Sequence, residues 1–215
     1  MATPFVRQNG TVPKTEYGTA LGGICTVQPT NSTVDYTHTL PPDSSVLAGK
    51  IFVQVADQVI SNTTTETTQF GTGTTGSSRI IDPNTAVVGA TYHIRLSGYI
   101  SNTGTPNATL RIKLGGISLV TSGPVALPSG LTNAFVETIF TFTVRSVGAT
   151  GTVRGQGHTK LVSGALGTTY NRQLTMTADA TIDFTTGNEI DITYEWGTAS
   201  PSNTLTITNC SIGVW

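Results

Sequence analysis

Charge is what this sequence has least of. Lys, Arg, Asp and Glu together make up 11% of its 215 residues, less than half of the roughly 25% usual for a soluble domain. The formal net charge is −1, and no segment gathers Lys and Arg into the footprint that nucleic acid or an anionic membrane surface requires, so neither partner is expected. No apolar run approaches the ~18 residues of a membrane-crossing helix. The opening residues, MATPFVRQNGTVPKTEYG, lack the charged-then-apolar layout of a secretory signal, which reads as a chain made in the cytosol. Cysteine is nearly absent: Cys25 and Cys210 are too few and too far apart for a disulfide framework or a metal motif. Helical periodicity is missing too, since no window repeats apolar residues every 3.6 positions.

What is present instead is threonine, 42 residues of it, with 24 glycines. Thr is β-branched and stiff at χ1, so it suits a pleated strand better than a helix. Low charge, abundant Thr, Ser, Asn and Gly, and closely spaced short strands belong to proteins that endure outside cells, yet no export signal accompanies them. Proteins of a virus particle meet both conditions, being made in the host cytosol and released by lysis. A chain of this length buries roughly 70% of its unfolded surface on folding, enough for a substantial core.

The sequence divides near Gly76. Residues 1–77 read as an extended N-terminal arm, punctuated by Pro4, Pro13, Pro29, Pro41 and Pro42. Within it, residues 33–40 set Val34, Tyr36, His38 and Leu40 on one face, residues 51–60 read as one further strand, and residues 62–78 form a polar linker. Residues 78–215 carry the architecture. Tyr92, Ile94, Leu96, Gly98 and Ile100 alternate with His93, Arg95, Ser97 and Tyr99, which is the period of a half-buried strand. Leu110, Ile112 and Leu114 alternate with Arg111 and Lys113. Strands follow over 117–120, 135–145, 153–162, 173–177 and 180–185, with Val136, Phe140, Phe142 and Val144 on a core face. Next, Ile190, Ile192, Tyr194 and Trp196 point inward, with Asp191, Thr193 and Glu195 outward. In the last strand Leu205 and Ile207 are inward, but the pattern resumes at Cys210, Ile212 and Val214, a slip of one residue that calls for a β-bulge near Thr208 and Asn209. Eight or nine short strands with turns every ~8–12 residues imply an all-β protein, an antiparallel β-sandwich of jelly-roll or Greek-key type.

Two of these segments, GATYHIRLSGYISNTGTPNATLRIKLGG (residues 89–116) and IDITYEWGTASPSNTLTITNCSIGVW (residues 190–215), resemble a C-terminal module of tailed-bacteriophage structural proteins. There a strand with the pattern G-x-x-Y opens the sandwich, and a strand like IDxT-x-x-W-G-T-A, followed by SNTxTxTN, closes it. The resemblance covers about the last 130 residues. It implies a jelly-roll module, usually trimeric, found on capsid surfaces and at fibre tips, with no catalytic residues.

Motifs that might carry chemistry have duller readings. Gly71, Gly73 and Gly76 satisfy GxGxxG, but SSRIIDPN follows where a dinucleotide site needs a helix. His38, His93 and His158 lack metal-ligand spacing. No G-x-S-x-G elbow occurs. Glu189, Asp191 and Glu195 could suggest a paired-carboxylate glycosidase, yet Asp191 and Glu195 lie two pleats apart on a solvent face. Asn31, Asn62, Asn107 and Asn209 open N-x-S/T sequons that this composition produces by chance. The basic stretch RGQGHTK (residues 154–160) reads as a solvated loop or subunit contact.

The expectation is therefore a non-enzymatic virion protein with no catalytic, cofactor or metal site. It would form a homotrimer, since closed symmetry hides strand edges that few lysines are there to block. Its partners would be the major capsid protein or other virion proteins, which it would hold as a cement, decoration or vertex protein. The alternative is a receptor-binding tail-fibre or head-fibre tip that recognises a host surface glycan. The absence of heptads, collagen triplets or β-helix repeats favours the capsid role.

Overall fold

A computed structural model of the chain describes residues 49–75, 77–163 and 168–215, together with the backbone of a short antiparallel pair, β1 (Glu16–Gly18) and β2 (Ile24–Thr26), in which Tyr17 faces Cys25. Residues 1–44 and 45–215 form separate compact units. The strand expected over 33–40 lies outside the described residues.

The second unit is built from β3 (Gly49–Val53), β4 (Gln58–Ser61), β5 (Thr67–Thr68), β6 (Ile80–Ile81), β7 (Thr91–Ser101), β8 (Asn107–Leu114), β9 (Ile117–Thr121), β10 (Val125–Ala126), β11 (Ala134–Ser146), β12 (Gly151–Ser163), β13 (Thr168–Thr175), β14 (Ala180–Ile182), β15 (Asn188–Trp196) and β16 (Thr204–Val214). They form two antiparallel sheets. The larger runs β13-β12-β11-β7-β16-β3, with β14 beside β12 and β4 beside β16; the smaller runs β10-β8-β15-β5, with β9 beside β8 and β6 beside β15. Two of the pairs are nested, as in a long hairpin rolled upon itself. The first long strand, β7, pairs with the last, β16, and β8 pairs with the penultimate β15. The fold is thus the all-β sandwich that the strand pattern calls for.

Alternation decides which side chains meet between the sheets. Ile94, Leu96, Phe140, Phe142, Ile207 and Ile212 of the larger sheet join Leu110, Ile112, Leu114, Ile190, Ile192 and Trp196 of the smaller in one core. Tyr92 stacks on Phe142 with centroids 4.9 Å apart. Gly157 stands opposite Phe140 on β11, and a Cβ there would come within 2.7 Å of the Phe140 backbone. The glycine leaves the ring its place.

The register of β16 against β7 shifts between Ile207 and Asn209, which is where the phase slip places a bulge. The region read as one strand over 51–60 is two. Before the bulge β4 pairs with Thr204 to Ile207, and after it β3 pairs with Ser211 to Val214; a single straight partner could not keep register past the extra residue. Gln54 spans the gap, its backbone N–H donating to Cys210 O at 2.9 Å and its side-chain Nε2 to Ile207 O at 2.8 Å. β3, β4 and β5 thus supply strands to both sheets from residues N-terminal to Ser78.

Candidate functional site

The outward face of the smaller sheet is a ladder of ion pairs. On β8 and β15 the outward positions set Lys113 beside Asp191, Arg111 beside Thr193 and Thr109 beside Glu195. Glu66, just before β5, reaches over this face: it accepts from Lys113 Nζ at 3.0 Å and from Thr193 Oγ1 at 2.6 Å, and lies 3.3 Å from Arg111. Arg111 also pairs with Glu195 at 2.7 Å. At the other end Arg79 bridges Glu189 and Asp191, and Thr68 Oγ1 donates to Asp191 at 2.6 Å. Thr193, expected on an open face, is buried because Glu66 and Gln69 cover it.

These contacts shape the acids differently. The Thr193 hydroxyl, and after it Lys113, hold Glu66 below the usual carboxylate range. Burial pushes Asp191 above it, against the opposing pull of Thr68 and Arg79. A glycosidase needs two carboxyls about 5–9.5 Å apart. Asp191 and Glu195 are four residues apart on one strand, a rise of roughly 13 Å, while Glu189 and Asp191, two residues apart, share the Arg79 guanidinium between them. As arranged, these acids serve as acceptors that fasten β5 and the Arg79 segment across the sheet.

The larger sheet presents a different outward surface. One register row runs from Val59 on β4 through Thr206 on β16 and Tyr99 on β7 to Phe135 on β11 and Val162 on β12. Side chains directly opposite in antiparallel strands lie on the same face. Val59 is 56% exposed, Tyr99 38% and Phe135 44%, while Thr206 between them is buried. Further along the same face two polar pairs flank the row. Arg95 grips Glu137 Oε1 with Nη2 at 2.7 Å, and Ser101 Oγ accepts from Asn133 N at 2.9 Å. The apolar row is thus flanked by these two polar pairs, as a contact patch is by its rim.

The remaining sequence candidates fall in several places. Gly71 donates its N–H to Gln54 Oε1 at 3.0 Å, and a Cβ there would lie 2.3 Å from Ala56 O; Gly73 bridges to Gln54. These glycines serve close backbone packing, and Gly76 is outside the described residues. His93 shares a 3.1 Å hydrogen bond with Thr141 Oγ1 and meets Trp215 edge to face. His158 lies on β12 opposite Ile139 and Gln173. His38 is outside the described residues. In RGQGHTK, Arg154 donates to Asp179 at 3.1 Å and to Thr177 O at 3.0 Å, so its guanidinium is already engaged. Cys210 is a buried free thiol, pushed up to about 12 by that burial. Asn62 follows β4, Asn107 opens β8 and Asn209 lies at the bulge of β16, and Asn31 is outside the described residues. Among the described residues no group of three His, Cys, Asp or Glu could hold a metal ion.

Sequence reasoning missed Gln54, Glu66 and the Val59–Tyr99–Phe135 row as a unit. Tyr99 stood on the outward face of its strand from the alternation alone, but its neighbours across the sheet come from strand order. No protein-family model matches the chain. No curated protein matches it.

Proposed function

We propose that this chain is a structural protein of a virus particle, acting at the capsid surface as a cement or decoration protein that clamps neighbouring subunits as a homotrimer. The observation that carries the reading is the outward apolar row of Val59, Tyr99 and Phe135, flanked on the same sheet face by the Arg95–Glu137 ion pair. Aromatics with a polar border suit a subunit contact, where the ring area is gained without leaving charge unpaired. The resemblance to tailed-phage modules supports it further, because the two resembling segments supply β7 with β16 and β8 with β15, one hydrogen-bonded pair in each sheet. A second reading rests on the same aromatics: Tyr99 and Phe135 could stack a sugar ring of a host surface glycan, as a fibre tip would.

Light scattering at micromolar concentration tests the assembly. The chain should be a trimer and Phe135→Glu a folded monomer; a wild-type monomer would remove the clamp reading. Counting copies in purified particles tests the location, with hundreds expected for a shell protein and a handful for a fibre tip. Binding to a glycan array that Tyr99→Ala abolishes, with particle stability independent of the protein, would favour attachment.

A further inference from the structure

Three residues of the RGQGHTK stretch, Arg154, Gln156 and His158, alternate along β12 and so share the outward face of the larger sheet. Register carries that face across the strands. His93, Thr141, Gln156 and Thr175 stand in one row on β7, β11, β12 and β13, and Thr91, Thr143 and Arg154 form the next. An open groove of about 710 Å³ lies over β11, β12 and the end of β13, lined by Thr141, Thr143, Arg145, Arg154, Gln156 and His158 among others. Its volume is within the roughly 300–1,000 Å³ typical of small-molecule sites.

Charge in this groove is unbalanced. Arg145 and Arg154 share one carboxylate, that of Asp179, and among the described residues no Asp or Glu lines the groove itself. Arg154 is held in place, donating to Asp179 at 3.1 Å and to Thr177 O at 3.0 Å. Arg145 is not: its Nη1 lies 3.7 Å from Asp179, beyond hydrogen-bond reach, and its side chain is 55% exposed. The hydroxyls of Thr141 and Thr143 are bonded to His93 at 3.1 Å and to Thr91 at 2.9 Å; a hydroxyl has one donor and two acceptor positions, so each has room for a second partner. At the β7 side of the same face Trp215 exchanges backbone hydrogen bonds with Thr91 and meets His93 edge to face at 5.3 Å, yet stays 63% exposed. An exposed aromatic beside hydroxyl and amide groups suits a sugar, whose ring has an apolar C–H face and a rim of hydroxyls. The uncompensated guanidinium suits a carboxylate. Nucleic acid fits less well, since a run of phosphates calls for many cations.

We propose that this groove binds an acidic saccharide, with a uronate carboxylate on Arg145, sugar hydroxyls on Thr141, Thr143 and Gln156, and a neighbouring sugar ring against Trp215. β7 and β12 are two strand spacings apart, about 10 Å, so a disaccharide reaches from the indole to the guanidinium. His93 is six residues along β7 from Tyr99, a rise of roughly 20 Å. The site is therefore separate from the row of Tyr99 and Phe135, and it rests on neither of the readings that use that row.

Cellobiouronic acid and cellobiose, the same disaccharide with and without a carboxylate in place of one hydroxymethyl group, test it by ligand-observed saturation-transfer NMR titrations on the full chain. The acid should bind at least about 3-fold more tightly than cellobiose, and added salt should narrow the gap. Arg145→Gln should weaken the acid by about 3- to 10-fold, the worth of one charge-assisted hydrogen bond at a partly exposed site, and leave cellobiose unchanged. Trp215→Ala should weaken both sugars, and Tyr99→Ala should alter neither. Arg145 and Trp215 are exposed, so both variants should keep the wild-type unfolding midpoint. No binding of the acid, equal affinity for the two sugars, or an acid affinity unchanged in Arg145→Gln would each overturn the proposal. So would loss of binding in Tyr99→Ala, which would place the sugar on the aromatic row. Equal competition by acetate or by triglutamate would overturn it as well, by showing a site for bare anions or for acidic peptides.

Discussion

Trp196 is wholly buried, and its indole Nε1 donates to Ile60 O at 3.3 Å, joining the smaller sheet to β4 through the core. Trp196→Ala should therefore cost about 3–5 kcal/mol in denaturant unfolding. Thr193, three residues away on the opposite face, is buried beneath Glu66 and donates to it. Thr193→Val keeps the shape and removes the donor, and should cost about 1–2 kcal/mol; a change within ~0.3 kcal/mol, as at an ordinary surface site, would show that Glu66 does not hold there. The two acids of this face should pull stability in opposite directions with pH. Glu66 is lowered, so its contribution is present above the ordinary Glu value and is lost as pH falls through its folded value. Asp191 is raised, so its contribution is fully present below the ordinary Asp value and is lost as pH rises through its folded value. Asp191→Asn keeps an acceptor for Thr68 and Arg79 and removes the buried charge. Its stability at pH 7 should equal or exceed the wild type's, with the difference vanishing below about pH 4. A loss beyond about 1 kcal/mol at pH 7 would mean that pairing outweighs desolvation.

Single strands show how much of this molecule can be read from residue order. β7, β8 and β15 carry their inward residues where the alternation puts them, and the slip in β16 marks its bulge, because both follow from a period of two along one chain. The split of residues 51–60 into β3 and β4 is not local in origin; it comes from the bulge in their partner. The burial of Thr193 likewise depends on Glu66, 127 positions away, and the row of Val59, Tyr99 and Phe135 depends on which strands are neighbours. Gly98 ties these levels together. It stands opposite Ile207, next to the bulge, and a Cβ would lie 1.9 Å from Thr206 O. Nothing on that side can yield, since the obstacle is backbone. Gly98→Ala should cost about 3 kcal/mol or more, above the usual range for one added methyl group, and amides of β16 around Thr206 should lose hydrogen-exchange protection first. A cost under about 1 kcal/mol would show that the bulge can shift to make room.

At the scale of the whole chain, the boundary of the sandwich decides which part can stand alone. The composition break near Gly76 points to a self-contained unit from Ser78 onward, whereas residues 45–215 form one compact unit. Shortening the chain to residues 78–215 removes β3, β4 and β5 and takes Phe52, Ile60 and Phe70, each at most 4% exposed, out of the core. At roughly 1.5–3 kcal/mol for each buried side chain, the loss is about 5–9 kcal/mol, comparable with the roughly 5–15 kcal/mol that keeps a domain folded. It also bares the edge of β16 and takes the acceptor from Trp196 Nε1, inviting strand addition by other chains. Residues 45–215 should thus unfold in one cooperative denaturant transition, while residues 78–215 should aggregate or unfold without a sharp midpoint. If the clamp reading is right, 45–215 should also keep its trimer, because the Val59–Tyr99–Phe135 row is intact, yet fail to bind shells stripped of the protein, because the arm is gone. Particles rebuilt with the full chain should resist heating better than those offered 45–215, since binding stabilises the state that is bound. Cooperative folding of 78–215 with the midpoint of 45–215 would show that β3 to β5 add little to the core, and shell binding by 45–215 would move the particle contact from the arm to the sandwich itself.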